Sequence, residues 1–186
     1  TGYLYGKSQG IDIRSEGSGN AGTTNSLRVL GIKAGLITFA GDLCKAVLAV
    51  LLVKVLFRNA YPDAVKILEL YAGFGAVLGH NFPFYLGFKG GKGIATTGGV
   101  IFAFHWQLGL ICAAVFLIIT IISKYVSLGS ICMVLIIPFI LYFNNPQDWK
   151  LVVVGCIFTA MAIWRHRANI VRLMNGTENK LGQKVK

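Results

Sequence analysis

The chain has 186 residues, 55% of them hydrophobic and only 13% charged, with a mean hydropathy of +0.65. That balance lies outside the soluble globular norm and makes a membrane the expected solvent. A net charge of +11 would suggest a nucleic-acid partner in a soluble protein, but here its placement in loops accounts for it, and no nucleic acid is expected.

In chain order, Thr1 to Tyr5 read as the tail of an apolar segment, and without an initiating Met the chain reads as N-terminally truncated. Gly35 to Phe57 predicts a membrane helix despite Asp42 and Lys45, which stand three positions apart and can pair. That pair can be a structural ion pair, an anchor for glycine loops, or part of the chemistry. Ile67 to Phe82 predicts a second helix that runs into a turn around Pro83. Ile94 to Phe104 and Gln107 to Ser123 are divided near His105-Trp106, and His105 reads as structural. Val126 to Phe143 and Leu151 to Trp164 follow, separated by the polar turn Asn144 to Asp148. A crossing of the roughly 30 Å hydrocarbon core takes about 20 apolar residues in a helix. The expected fold is all-α: one polytopic, membrane-embedded helical bundle over residues 1–186. It makes six crossings here and seven in the complete protein, with the first only partly present.

Lysine and arginine sort by side, as the positive-inside rule requires. One side collects Lys7, Arg14, Arg28, Lys33, Lys89, Lys92, Lys124, Arg165, Arg167, Arg172, Lys180, Lys184 and Lys186, against Arg58, Lys66 and Lys150 on the other. The first side is therefore expected to be cytoplasmic. The four cysteines, Cys44, Cys112, Cys132 and Cys156, lie in separate apolar segments without metal-site spacing and read as packing residues. No metal or other cofactor is expected.

Three polar clusters fall on the basic side. Arg14 to Arg28 interleaves Ser18, Gly19, Asn20, Thr24 and Asn25. Such glycines let the backbone approach an anion, hydroxyls and amides donate hydrogen bonds, and Arg28 can grip phosphate oxygens bidentately. An ordinary flexible polar loop has the same composition. Gly79 to Gly93 interleaves His80, Lys89, Gly90, Gly91, Lys92 and Gly93. This is the composition of a phosphate cradle, yet Gly93 stands where a Walker A loop needs Ser or Thr for magnesium, which disfavours nucleotide hydrolysis. A basic turn beside anionic lipid is the other reading. His80 itself can be a ligand, a base or a helix cap. The third cluster, Trp164 to Glu178, places His166, Asn169 and Leu173 on one helical face. A basic stop-transfer tail explains Arg165 and Arg167 but neither His166 nor Asn169.

Together, GSGNAGTTN with Arg28, GHNFPFYLGFKGGKG and RHRANIVRLMNGTE resemble the three motifs of the bacterial acyl-phosphate:glycerol-3-phosphate acyltransferase family. Their order and sidedness match, and the resemblance runs through nearly the whole chain. It departs at the N-terminus, where the family has a full first helix, and at Thr23, where the family usually has Ala. The resemblance implies a seven-helix enzyme of the bacterial cell membrane, with its site facing the cytoplasm. Its substrates would be acyl phosphate and glycerol 3-phosphate; its products lysophosphatidic acid and inorganic phosphate. Neither coenzyme A nor acyl carrier protein would be the direct donor, in keeping with the missing His-x4-Asp dyad of other glycerolipid acyltransferases. By the same resemblance His166, Lys92, Arg28 and Asn169 are the catalytic candidates. Ser18, Gly19, Asn20, Thr24, Asn25, His80, Lys89, Gly90, Gly91 and Gly93 are the substrate-binding ones. The proton acceptor is either His166 or a substrate phosphate, and transfer is expected to be direct. A transporter for a phosphorylated solute is the competing reading, but transport sites favour the bilayer midplane and repeats. An alcohol phosphotransferase would need clustered aspartates, and the seven acidic residues are scattered.

Overall fold

The structure, a computed structural model, describes residues 1–183. Every regular element among them is helical: α1 (Gly2–Ser8), α2 (Thr23–Leu30), α3 (Ile32–Phe57), α4 (Val65–Asn81), α5 (Ile94–Phe104), α6 (Trp106–Ser123), α7 (Val126–Leu135), α8 (Ile137–Asn144), α9 (Trp149–Arg165) and α10 (Arg167–Met174). A 3-10 turn at Phe84–Leu86 is added to these. Lys184 and Lys186, two of the charges counted on the basic side, lie outside the described residues.

The longest helix shows how the bundle is organised. α3 has 26 residues, roughly 39 Å at 1.5 Å per residue and more than the hydrocarbon depth. Ala34, Thr38, Asp42, Ala46 and Val50 are buried at a spacing of four, so one stripe of small and polar residues faces the protein. Leu48, Leu52, Val55 and Leu56 are exposed on the rest of the circumference, as a lipid-facing surface should be. Lipid tails are as apolar as leucine, so close packing rather than escape from water must hold such helices together. Gly99 of α5 meets this need: a Cβ there would stand 2.7 Å from the Leu43 carbonyl oxygen of α3, too close for any side chain. Val50, Leu70, Val77, Val100, Ile101 and Phe158 form the core between α3, α4, α5 and α9. Val134, Ile137 and Leu141 extend it under α7 and α8.

Two expected continuous segments are broken. Val126 to Phe143 divides at Ile136 because Pro138 stands in the first turn of α8, where it supplies no backbone N–H. The pair still makes an apolar span over residues 126–144. The last helix bends by 61° between α9 and α10, so His166 is the hinge and not one position along an even helical face. Among the described residues, α3, α6 and the α7–α8 pair are long and apolar enough to cross a membrane. The bent α9–α10 pair makes a fourth if counted as one span. This is fewer than the six crossings read from the sequence. α4 has 17 residues and α5 only 11, and at about 16 Å α5 reaches half the hydrocarbon depth.

The ends of the bundle are chemically different. At one end Lys66 Nζ donates to Asn145 Oδ1 (2.8 Å), joining the first turn of α4 to the α8–α9 loop. At the other, Arg14 Nη1 donates to the Leu86 carbonyl (3.3 Å), Arg165 to the Gly91 carbonyl (2.7 Å) and the Leu181 amide to the Lys124 carbonyl (2.7 Å). All three polar clusters of the sequence thus meet at the same, basic end.

Candidate active site

The first loop is shaped by Asn25, which α2 places 1% exposed beneath it. Its Oδ1 accepts from the Ser18 amide (2.8 Å), and its Nδ2 donates to the carbonyls of Ile13 and Glu16 (3.0 Å each). A buried amide whose bonds all go to backbone works as a staple, leaving the Ser18 hydroxyl, Gly19 and Asn20 as the outward part of the loop. Asn20 Oδ1 caps the Gly22 amide (2.9 Å), and Gly19 has a φ of +68°. Thr24 is half-buried in the first turn of α2. Arg28, in the last turn, donates to the Asn179 carbonyl (3.4 Å). Burial lowers its pKa, with Glu178 acting in the opposite direction.

The second loop is held from two sides. The Gly90 and Gly91 amides donate to the carbonyls of Asn81 (3.2 Å) and His80 (3.1 Å), and one Arg165 nitrogen donates to both glycine carbonyls. A Cβ on Gly91 would stand 2.0 Å from His80 Nε2, so glycine is a steric requirement there. Lys89 is exposed, whereas Lys92 turns inward and donates from Nζ to Asn169 Oδ1. Burial pushes the Lys92 ammonium down to about 8, against the pull of Glu178. Gly93, with a φ of +81°, hands the chain to α5.

The third cluster supplies the remaining parts. His166 is 2% and Asn169 5% exposed. The Nδ1 of His166 lies 2.8 Å from the Ala162 carbonyl, which can only accept, so Nδ1 carries the proton and Nε2 keeps its lone pair. Burial first, and the Lys92 ammonium second, push His166 down to about 4, and the ring is neutral at physiological pH. Asn169 donates from Nδ2 to Glu178 Oε1 (2.7 Å), which also accepts from the Ser127 hydroxyl (3.0 Å). Arg172 Nε donates to Glu178 Oε2 (2.7 Å). Burial works against the Glu178 charge, but these hydrogen bonds outweigh it and hold the carboxyl below its usual value.

The structure therefore brings Arg28, Lys92, His166 and Asn169 together. His80, Gly90 and Gly91 frame the turn leading into Lys92. Among the described residues no hydrogen bond carries the side chains of Ser18, Asn20, Thr24 or Lys89 into this cluster. Sequence reasoning missed three groups that organise it: Glu178, Ser127 and the Arg165 clamp. An acidic residue alone in a basic tail marked Glu178, but Ser127 looked like any small residue of a membrane helix. No group of three or more His, Cys, Asp or Glu suited to a metal exists among the described residues.

A helical bundle with lipid-facing flanks and a preorganised, cation-rich cluster at one end defines a membrane-embedded protein that handles anionic substrates. Residues 1–176 match the sequence family described as Glycerol-3-phosphate acyltransferase, and the chain belongs to that family. It is 46% identical over 190 residues to a glycerol-3-phosphate acyltransferase of Clostridioides difficile (strain 630), covering 99% of this chain and 89% of that protein. A second, from Thermoanaerobacter sp. (strain X514), is 44% identical over 98% of this chain and 89% of the relative. The crystal structure of PlsY (YgiH), an integral membrane glycerol 3-phosphate acyltransferase, in its glycerol 3-phosphate form superimposes with a TM-score of 0.85 at 35% identity. It covers 97% of this chain and 88% of that one. The lysophosphatidic acid form of the same protein gives 0.84, again at 35% identity.

Proposed function

We propose that this chain transfers the acyl group of a fatty acyl phosphate directly to the 1-hydroxyl of glycerol 3-phosphate, at the cytoplasmic face of a bacterial cell membrane. The observation that carries the proposal is the convergence of Arg28, Lys92 and Arg172 with the uncharged hydrogen-bonding groups of His166 and Asn169. Its two substrates would each bring a phosphate, and several fixed cations at one spot suit such a pair.

The glycerol hydroxyl oxygen attacks the carbonyl carbon, the carbonyl–phosphate oxygen bond breaks, and the departing phosphate is already a good leaving group. The protein's part is to orient and to balance charge. Lys92, pinned by Asn169, and Arg28 hold phosphate oxygens, while the glycine amides and carbonyls of the second loop, held in shape by Arg165 and His80, shape the donor's seat. His166 Nε2 accepts a hydrogen bond from the attacking hydroxyl and aims it. With a pKa pushed to about 4, His166 lies too far from neutrality to be an efficient general base. The hydroxyl proton therefore goes to the leaving phosphate, whose second pKa is of order 6. No covalent acyl-enzyme is needed, and the donor comes neither from coenzyme A nor from acyl carrier protein. Family membership supports the acceptor and the reaction class, while the motif resemblance supports the donor.

The test is turnover of labelled glycerol 3-phosphate by the purified protein with palmitoyl phosphate, beside Lys92→Ala and His166→Ala. Both variants should fold and lose at least roughly a hundredfold in rate, the scale set by removal of one oriented electrostatic group. Near-normal rates in folded variants would contradict this assignment of the site.

A further inference from the structure

Asp42 lies in the cytoplasmic half of α3, 1% exposed, where a lone carboxylate among apolar helices is costly. Lys45, one turn on, already satisfies it, with Nζ donating to Asp42 Oδ1 at 2.8 Å. A simple intrahelical ion pair would be complete at that point. Here the pair continues to α4: Lys45 Nζ is 2.7 Å from His80 Nδ1, and Asp42 Oδ1 is 3.5 Å from the same nitrogen. An ammonium can only donate, so Nδ1 accepts and the His80 proton sits on Nε2.

The direction of that proton is informative. His80 Nε2 occupies the place where a Gly91 Cβ would project, with 2.0 Å between them, and the Gly91 amide donates to the carbonyl of the same histidine. The ring thus lies closely against the turn on the Gly91 side, and a rotation of the imidazole toward Gly91 must displace the turn. The adjoining cleft, about 270 Å³, is lined by Lys45, His80, Gly90 and Gly91 together with apolar Leu4 and Leu86. Its lining mixes the polar side chains of Lys45 and His80 with apolar wall, the combination that suits a phosphate carrying a hydrocarbon chain. The Lys92–Asn169–Glu178 network, by contrast, is polar throughout.

We propose that Asp42 and Lys45 are positioning residues: they lock the His80 ring against Gly91 and so set the Gly90–Gly91 turn that receives the acyl donor's phosphate. The inference rests on the acyl-phosphate reading above for the identity of the donor. The shaping of the turn does not depend on that identity. Asp42, which also accepts from the Thr1 hydroxyl (3.2 Å), touches no substrate in this scheme and acts through Lys45 and His80, while Lys45 also lines the cleft.

The test uses the full chain in detergent and two readouts. In steady state, Asp42→Asn should raise the KM for palmitoyl phosphate by about tenfold, in line with the sensitivity of rates to misplacement of about 1 Å. The KM for glycerol 3-phosphate should stay within about twofold. The double variant Asp42→Asn/His80→Ala should be no worse than His80→Ala alone, because residues acting through one another are non-additive. Hydrogen exchange, which needs no turnover, should show the Gly90 and Gly91 amides exchanging faster in Asp42→Asn and His80→Ala alike. If Asp42→Asn does not fold, Lys45→Gln, at a partly exposed side chain, carries the exchange comparison at Gly90 and Gly91. Additive losses, an equal rise in both KM values, or wild-type exchange at Gly90 and Gly91 would each overturn the proposal. A wild-type protein that ignores acyl phosphate overturns the donor reading instead, and exchange still decides the positioning.

Discussion

Replacing Glu178 by Gln keeps the side chain's shape and removes its charge. The carboxylate accepts from Asn169 (2.7 Å), Ser127 (3.0 Å) and Arg172 (2.7 Å) while 9% exposed. A glutamine that keeps its oxygen toward Asn169 and Ser127 must turn its NH₂ toward Arg172, donor against donor. One charge-assisted bond is lost and two become neutral. Each charged hydrogen bond is worth about 1.5–3 kcal/mol, and because the Arg172 side chain is 38% exposed water replaces part of its loss, so the lower end applies. About 1.5 kcal/mol expressed as misorientation of Asn169 and Lys92 corresponds to a kcat roughly tenfold lower. The assay is lysophosphatidic acid formation by the folded variant, with both substrates saturating. A Glu178→Gln variant with wild-type kcat would refute the proposed orienting of the Asn169 amide by this carboxylate.

Lys92 should give kcat/KM an alkaline limb near pH 8, since its ammonium is pushed down to about 8 and the free enzyme loses that charge as pH rises. Lys92→Arg should move the limb upward. The same depressed pKa means that the unfolded chain binds the proton more tightly between about pH 8 and 10.5, so this group's share of stability increases with pH across that window, as thermal melting can check. Gly91→Ala should abolish activity by driving a methyl into His80, while Gly75→Ala, exposed on α4 with nothing within 4 Å of its Cβ, should leave kcat and both KM values unchanged. Asn25→Ala removes three buried bonds to backbone, worth about 3 kcal/mol in all, and should lower the melting temperature and speed exchange of the Ser18 amide.

Much of this molecule was legible in the sequence because membrane physics writes plainly. Apolar runs marked the helices, with α5 read at its observed bounds; the sorting of Lys and Arg matched the end where the loops converge. Lys92 and Asn169 could be named because their residue types stood out from apolar surroundings and because the motifs resembled a known family. The break at Ile136 and the bend at His166 were illegible, since Pro138 is tolerated at a helix start and a bend leaves hydropathy unchanged. The roles of Asn25, Glu178 and Ser127 depend on contacts between distant segments, and Ser127 meets Glu178 across 51 positions. No local pattern encodes such a meeting. The Asp42–Lys45 pair was visible at its spacing, but its continuation to His80 of α4 was not.

The identity of the acyl donor is decided by comparing donors on one protein preparation. Purified chain with labelled glycerol 3-phosphate receives palmitoyl phosphate, palmitoyl-coenzyme A or palmitoyl-acyl carrier protein, and both lysophosphatidic acid and inorganic phosphate are quantified. Product should form only from palmitoyl phosphate, with one phosphate released for each acyl group transferred. Product formed equally well from the thioesters, or without matching phosphate release, would rule out acyl phosphate as the dedicated donor.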